Sequence, residues 1–152
     1  MPIRFTTEDD ADEVANLVVA AAASNKPEDF DQAGWAYFLS INTPAAMKNR
    51  LGDPQRFTLA YEEGGHLMGI ITIKANEKLD QLFVLPAVRN RGIARKLWQQ
   101  AKDICHQRGN PGNFWVRSST MAISLYERFG FEQVGNRQIE NGIVYQLLRL
   151  VE

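Results

Sequence analysis

The chain has 152 residues, a formal net charge of −1 and 45% hydrophobic residues, which suits one domain over residues 1–152 with a single core and excludes a global electrostatic pull towards nucleic acid. One cysteine, Cys105, and two distant histidines, His66 and His106, leave no disulfide framework and no metal-ligand spacing. No stretch approaches the roughly 20 apolar residues of a membrane span, and the start Met-Pro-Ile-Arg carries no apolar signal region, so a cytoplasmic protein with no membrane, nucleic-acid or metal partner is expected.

Residues 2–6 alternate as a short strand, and Thr7 followed by Asp10 has capping-box spacing for a helix with Ala11, Val14, Ala15, Leu17, Val18, Ala21 and Ala22 on one face. Glu8, Asp9 and Asp10 lie in its first turn, where they favour the helix dipole. Residues 24–32 are polar and read as a loop feeding a short helical segment with Trp35, Tyr37 and Phe38. Thr43 before Pro44 is an N-cap with proline at the first helical position, and Gly52 with Pro54 ends that helix after Leu51. Two helices are thus expected before the sheet. Residues 56–61 and 67–74 form a hairpin around Glu63-Gly64-Gly65, and residues 78–84 add a third strand. Strict alternation there puts Asp80, Leu82 and Val84 on one face and Leu79, Gln81 and Phe83 on the other.

Pro86 cuts this strand before the turn Arg89-Asn90-Arg91-Gly92, after which Ile93, Ala94, Leu97, Trp98, Ala101, Ile104 and Cys105 recur at helical spacing to about Arg108. Strand, glycine turn and helix together make an anion site. N–H groups at a helix start have no intrahelical acceptor, and the helix dipole adds partial positive charge. Gly92 and Ala94 allow close approach of a phosphate, while Arg89, Arg91 and Arg95 can fork onto its oxygens. The chain contains neither Gly-x-x-x-x-Gly-Lys-Ser/Thr nor Gly-x-Gly-x-x-Gly, which excludes the nucleotide-triphosphatase loop and the dinucleotide fingerprint. Residues 114–116 form a buried strand, and Ser119 or Thr120 can cap a last helix carrying Ala122, Ile123, Leu125, Tyr126 and Phe129. Residues 132–139 and 143–150 close the chain as a hairpin over Asn141-Gly142, giving an α/β sheet with helices on its faces.

Two stretches of this chain resemble the motifs of one superfamily. Leu82-Phe83-Val84-Leu85-Pro86 followed by Arg89-Asn90-Arg91-Gly92-Ile93-Ala94 is similar to the acyl-CoA-binding motif of the GCN5-related N-acetyltransferases (GNAT). Some thirty residues on, Ala122-Ile123-Ser124-Leu125-Tyr126-Glu127-Arg128-Phe129-Gly130-Phe131 resembles the second motif, Ala-x-x-Leu-Tyr-Glu-Lys-Leu-Gly-Phe. The element order matches that family's acyl-CoA N-acyltransferase fold, a mixed, mostly antiparallel sheet with helices on both faces. The chain departs from the pattern at Ser119, where the family often has Asn; a hydroxyl still bonds a pantetheine amide but lacks the two-sided amide pattern.

The resemblance implies that residues 89–94 (Arg89, Asn90, Arg91, Gly92, Ile93 and Ala94) hold the pyrophosphate of the cosubstrate acetyl-CoA through main-chain N–H groups, with Arg95 beside them. The pantetheine arm would lie along Leu82, Phe83 and Val84 and reach Ser119. It implies transfer of the acetyl group to a primary amine of a small molecule or peptide by direct attack through a tetrahedral intermediate. A main-chain N–H near Val84 would face the oxyanion, and Tyr126 would donate a proton to the leaving thiolate. For the base, Asp80 or Glu77 can act through a water, Asp80 being the candidate taken, or solvent takes the proton. Trp35 and Phe38 would wall the acceptor pocket, with Glu28, Asp29 and Asp31 attracting a cation; the alternative is that the aromatics are core and the acids a solvated loop. A non-catalytic acyl-CoA sensor or structural module on the same fold is the other reading. A homodimer is expected by analogy only, with Leu147, Leu148 and Leu150 finishing the core or pairing with a second subunit.

Overall fold

The structure, a computed structural model, describes residues 2–24 and 26–152. β1 (Ile3–Phe5) lies beside the hairpin of β2 (Arg56–Glu63) and β3 (His66–Lys74), and β4 (Lys78–Val84) continues the antiparallel run. β5 (Asn113–Ser118) joins β4 in parallel. The hairpin of β6 (Glu132–Glu140) and β7 (Ile143–Val151) then completes a seven-stranded sheet in the order β1-β2-β3-β4-β5-β7-β6. The mixed, mostly antiparallel α/β architecture expected from the sequence is the one the chain forms.

Alternation along the strands feeds two cores. Leu59 and Tyr61 of β2 point to one face and Ala60 to the other. On the first face α5 (Ile93–Gln107) buries Leu97, Trp98, Ala101 and Cys105 against Ile71, Ile73 and Leu79, each large apolar side chain contributing roughly 1.5–3 kcal/mol. Cys105 fills space there, and burial pushes its thiol up to about 11. On the second face α1 (Ala11–Ala23) sets Val14, Leu17 and Val18 with Met47 of α4 (Pro44–Leu51) onto Ala60 and Ile70.

Four helices, not two, separate β1 from β2, because α2 (Lys26–Asp29) and α3 (Gln32–Ile41) form within the stretch expected as a loop and short helix. Distant partners hold them. The buried Asp29 carboxylate accepts from the Thr120 backbone N–H at 3.0 Å and the Thr120 hydroxyl at 2.6 Å. Asp31 caps α3 by accepting the Gly34 N–H at 2.6 Å. Asp29 and Asp31 therefore have structural partners in the fold, while Glu28 is exposed. The same contact leaves α6 (Ile123–Arg128) without a side-chain cap: the Thr120 hydroxyl is spent on Asp29, and the carbonyl, not the hydroxyl, of Ser119 meets the Ala122 N–H at 3.2 Å.

β4 departs from strict alternation. Ile73 of β3 pairs with Leu79 and Thr72 with Gln81, so Asp80 is an extra residue, a β-bulge. Leu79 therefore joins Leu82 and Val84 towards α5, while Gln81 and Phe83 turn to the α3–α4 side. The expected grouping of Asp80 with Leu82 and Val84 is corrected by that one inserted residue. The tip of the β6–β7 hairpin also docks on α3: the Asp31 N–H donates to the Gly142 carbonyl at 3.2 Å, and Phe30 bridges to Ile143. A Cβ on Gly34 would collide with that carbonyl, and one on Gly142 with the Asp31 carboxylate.

Candidate active site

The parallel seam between β4 and β5 has only two register pairs, Lys78 with Trp115 and Leu79 with Val116. Beyond the bulge the strands part, since an extra residue bends its strand and increases its twist. From Asp80 to Val84 the β5-facing edge of β4 has no strand partner, leaving main-chain donors and acceptors available to an extended ligand. A cavity of about 640 Å³ opens at this split, lined by Leu82, Phe83 and Val84 of β4, by Arg89, Asn90, Gly92, Ile93, Ala94 and Arg95, and by Ser119 and Tyr126 across the gap.

The turn at one end of this groove is built by backbone geometry. Asn90 and Gly92 take left-handed conformations, at φ 66° and 78°, which only glycine and, less readily, asparagine adopt without much cost. The N–H groups of residues 90–95 donate to no carbonyl among the described residues, the first closing bond being Lys96 N–H to the Gly92 carbonyl at 3.1 Å. Unpaired amides at a helix start are donors that an anion can accept from. The arginines do not act as one cluster. Arg89 donates to the Ala21 carbonyl at 3.2 Å and the Ser24 hydroxyl at 3.0 Å, tying down the end of α1, and Arg91 pairs with Glu63 at 2.7 Å. Among the described residues the Arg95 guanidinium has no ion-pair or hydrogen-bond partner, and Arg128 of α6 faces the same groove from the other side. Sequence reasoning passed over Arg128, although the second motif carries a cation at that position.

Across the split, Tyr126 is 4% exposed, with its ring edge-on to Phe129 and Phe131. Its hydroxyl makes no hydrogen bond among the described residues, and burial pushes its pKa up, so the phenol keeps its proton throughout the working pH range. A second cavity of about 420 Å³ lies on the α3–α4 side of the sheet, lined by Tyr37, Phe38, Ile41, Asn42, Arg50, Arg56, Lys78, Arg117, Glu140 and Tyr145 among others. Leu79, Asp80, Gln81, Phe83, Arg117 and Ser119 line both cavities, so the two meet at the split. Phe38 is on this second wall. Trp35 is not: it lies stacked on Phe38 at 5.7 Å and edge-on to Phe30 at 5.2 Å, behind the lining.

Asp80, the residue expected to serve as base, is held in two ion pairs. Its carboxylate takes Arg56 Nε at 3.1 Å on one oxygen and Lys78 Nζ at 3.2 Å on the other. Burial alone would raise its pKa, but Lys78 and Arg56 outweigh it and hold the carboxyl below the usual range. A carboxylate so paired is a weak proton acceptor. Arg56 also pairs with Asp53. In the second cavity Arg50, Arg56, Lys78 and Arg117 outnumber Asp29, Asp80 and Glu140, which disfavours a further positive charge there. Among the described residues no three His, Cys, Asp or Glu side chains gather as a metal site requires, and no helix is long and apolar enough to cross a membrane.

Comparison with known proteins agrees with this arrangement. The family model for the acetyltransferase (GNAT) domain matches residues 26–151. A 55-residue stretch is 38% identical to acetyltransferase Atu2258 of Agrobacterium fabrum, spanning 36% of this chain and 40% of that protein. Among solved structures, a GCN5-related N-acetyltransferase from Rhodopseudomonas palustris superposes with a TM-score of 0.84 at 20% identity, over 97% of this chain and 92% of the other. The PaiA N-acetyltransferase of Thermoplasma acidophilum, solved with coenzyme A, gives a TM-score of 0.80 at 15% identity over 95% and 96%. At these identities the structural likeness is one of fold.

Proposed function

The chain belongs to the GNAT acetyltransferases, and from that premise we propose that it transfers the acetyl group of acetyl-CoA to a primary amine. The observation that carries this reading is the split after Leu79, which joins an unpartnered strand edge, a cradle of unpaired amides and a second cavity at one point. The amides of residues 90–95 take the pyrophosphate, with Arg95 and Arg128 as flanking cations. The edge of β4 pairs with the pantetheine amides, and Ser119 lies within the same groove. The amine enters from the second cavity.

The chemistry asks for a neutral amine, a stabilised oxyanion and a protonated leaving group. The lone pair of the amine forms the C–N bond, negative charge gathers on the former thioester oxygen, and a main-chain N–H near Val84 faces it. The C–S bond then breaks, and Tyr126, kept protonated by burial, hydrogen-bonds and donates to the departing sulfur, recovering its proton from solvent as coenzyme A leaves. The excess of cations in the second cavity lowers the pKa of a bound ammonium, so the proton goes to solvent without a dedicated base. In this reading Asp80 is a counter-ion that spaces Arg56 and Lys78, and Phe38, not Trp35, contacts the acceptor.

The test is release of coenzyme A from acetyl-CoA with a panel of primary amines, read as free thiol and confirmed by mass spectrometry of the acetylated product. Amine-dependent release establishes the reaction. Coenzyme A binding without release from any amine would leave an acyl-CoA-binding module.

A further inference from the structure

Gln81 lines both cavities at the point where they meet. One end of its amide is satisfied, Nε2 donating to Asn42 Oδ1 at 3.0 Å. The other end is not: Oε1 is buried and has no hydrogen-bond partner. A buried acceptor left unpaired is costly and calls for a reason.

The amide cannot relieve this by turning over. Arg50 has only donors, and its Nη1 meets Asn42 Oδ1 at 2.9 Å, so that atom is an oxygen. Asn42 Nδ2 in turn donates at 2.9 Å to the Phe38 carbonyl, which only accepts. Both contacts fix the orientation of Asn42, which is 2% exposed. Asn42 Oδ1 then requires a donor from Gln81, and turning the Gln81 amide would set two oxygens against each other. The chain Arg50–Asn42–Gln81 thus presents one carbonyl oxygen in one direction. The bulge at Asp80 is what turns Gln81 to this side of β4.

We infer that Gln81 Oε1 accepts an N–H of the incoming amine and orients its lone pair towards the thioester. This rests on the acetyl-transfer reading above and adds to it a residue that touches the nucleophile. Positive charge develops on the nitrogen as the C–N bond forms, so its N–H becomes a stronger donor and the bond to Oε1 tightens in the transition state. The direction of the oxygen is held by Asn42 and Arg50. It follows that the acceptor must carry a hydrogen on nitrogen besides the lone pair it uses.

The experiment measures kcat and KM for benzylamine, ethanolamine and phenethylamine with wild type and Gln81→Met. Methionine keeps the length and removes the oxygen. The expected result is a fall in kcat of about tenfold or more in Gln81→Met, with the coenzyme A-induced rise in melting temperature unchanged. KM for acetyl-CoA is expected to stay within about twofold of wild type in Gln81→Met, a split between kcat and KM that a general disturbance of the groove would not give. Unchanged kcat in Gln81→Met, or a fall in kcat accompanied by an equal loss of the coenzyme A-induced rise, would overturn this inference alone. No transfer by wild type to any of the three amines, with coenzyme A still stabilising the protein, would overturn the acetyl-transfer reading and this inference with it.

Discussion

Replacing Gly92 by Glu tests the anion cradle with a magnitude that can be worked out beforehand. Gly92 is the N-cap of α5 at φ 78°, ψ 12°, and a Cβ there would meet nothing within 4 Å. The unliganded variant therefore suffers no clash. It carries a left-handed penalty of about 1–2 kcal/mol, partly offset by about 0.3–1 kcal/mol from a carboxylate at a helix N-terminus. At about 2–4 °C per kcal/mol for a chain of this size, its melting temperature falls by at most about 7 °C. Ligand binding is affected differently. A carboxylate ~4 Å from a phosphate repels it by about 1–4 kcal/mol for effective dielectrics between 80 and 20, so a hundredfold weaker affinity is a mid-range expectation. At ~100 times its dissociation constant, coenzyme A stabilises wild type by roughly 2.7 kcal/mol, a rise of about 5–11 °C. The same concentration then equals the dissociation constant of the variant and contributes about 0.4 kcal/mol, a rise of about 1–2 °C. Differential scanning fluorimetry of each protein with and without coenzyme A reads both quantities, and the fold penalty cancels because each is referred to its own unliganded form. A wild-type rise in Gly92→Glu would refute the placing of the pyrophosphate at this turn.

Tyr126→Phe is expected to lower kcat by about 100-fold or more while leaving the coenzyme A-induced melting shift intact, since only the hydroxyl is lost; an unchanged kcat would mean that the ring merely packs. Phenethylamine is expected to exceed spermidine in kcat/KM, because the second cavity offers Tyr37, Phe38 and Tyr145 but already holds excess cations; a preference for spermidine would sink the electrostatic argument. Arg4 grips the Asp10 carboxylate through two hydrogen bonds of 3.0 and 2.9 Å and holds its pKa below the ordinary value. That stabilisation is present above the unfolded pKa of about 3.9 and is lost as pH falls through the lower folded value. Melting curves of wild type and Asp10→Asn should therefore converge on acidification from about pH 6 to about pH 2; a gap that stays constant would contradict the assignment.

The strands, the long helices and the glycine turn are legible in the sequence because each rests on local rules of periodicity, capping and positive φ. The groove follows, since Leu82, Phe83, Val84, Gly92 and Tyr126 sit on those elements. What escapes local reading depends on partners far along the chain. Nothing around Asp80 marks a bulge, because a bulge is a count of residues against Thr72 and Ile73 on another strand. Arg89 and Arg91 look like phosphate ligands until Ser24 and Glu63, some 65 and 28 positions away, claim them. The single turn of α2 owes its place to Thr120, 91 residues on. Gln81 gives no sign of its own, since a glutamine on a strand is ordinary until Arg50 and Asn42 fix which way its amide faces.

The docking of Gly142 on Gly34 sets terms for how this protein can be altered. Two walls of the second cavity, α3 and the β6–β7 tip, touch through main chain at Gly34 and Gly142, with the Asp31 carboxylate beside the contact. In engineering terms they are one replaceable part: a hairpin grafted from a relative arrives without its matching helix and forces the two backbones apart. New specificities are reached by exchanging Tyr37, Phe38 or Tyr145, which stand on these walls, while the walls themselves stay where the two glycines let them meet.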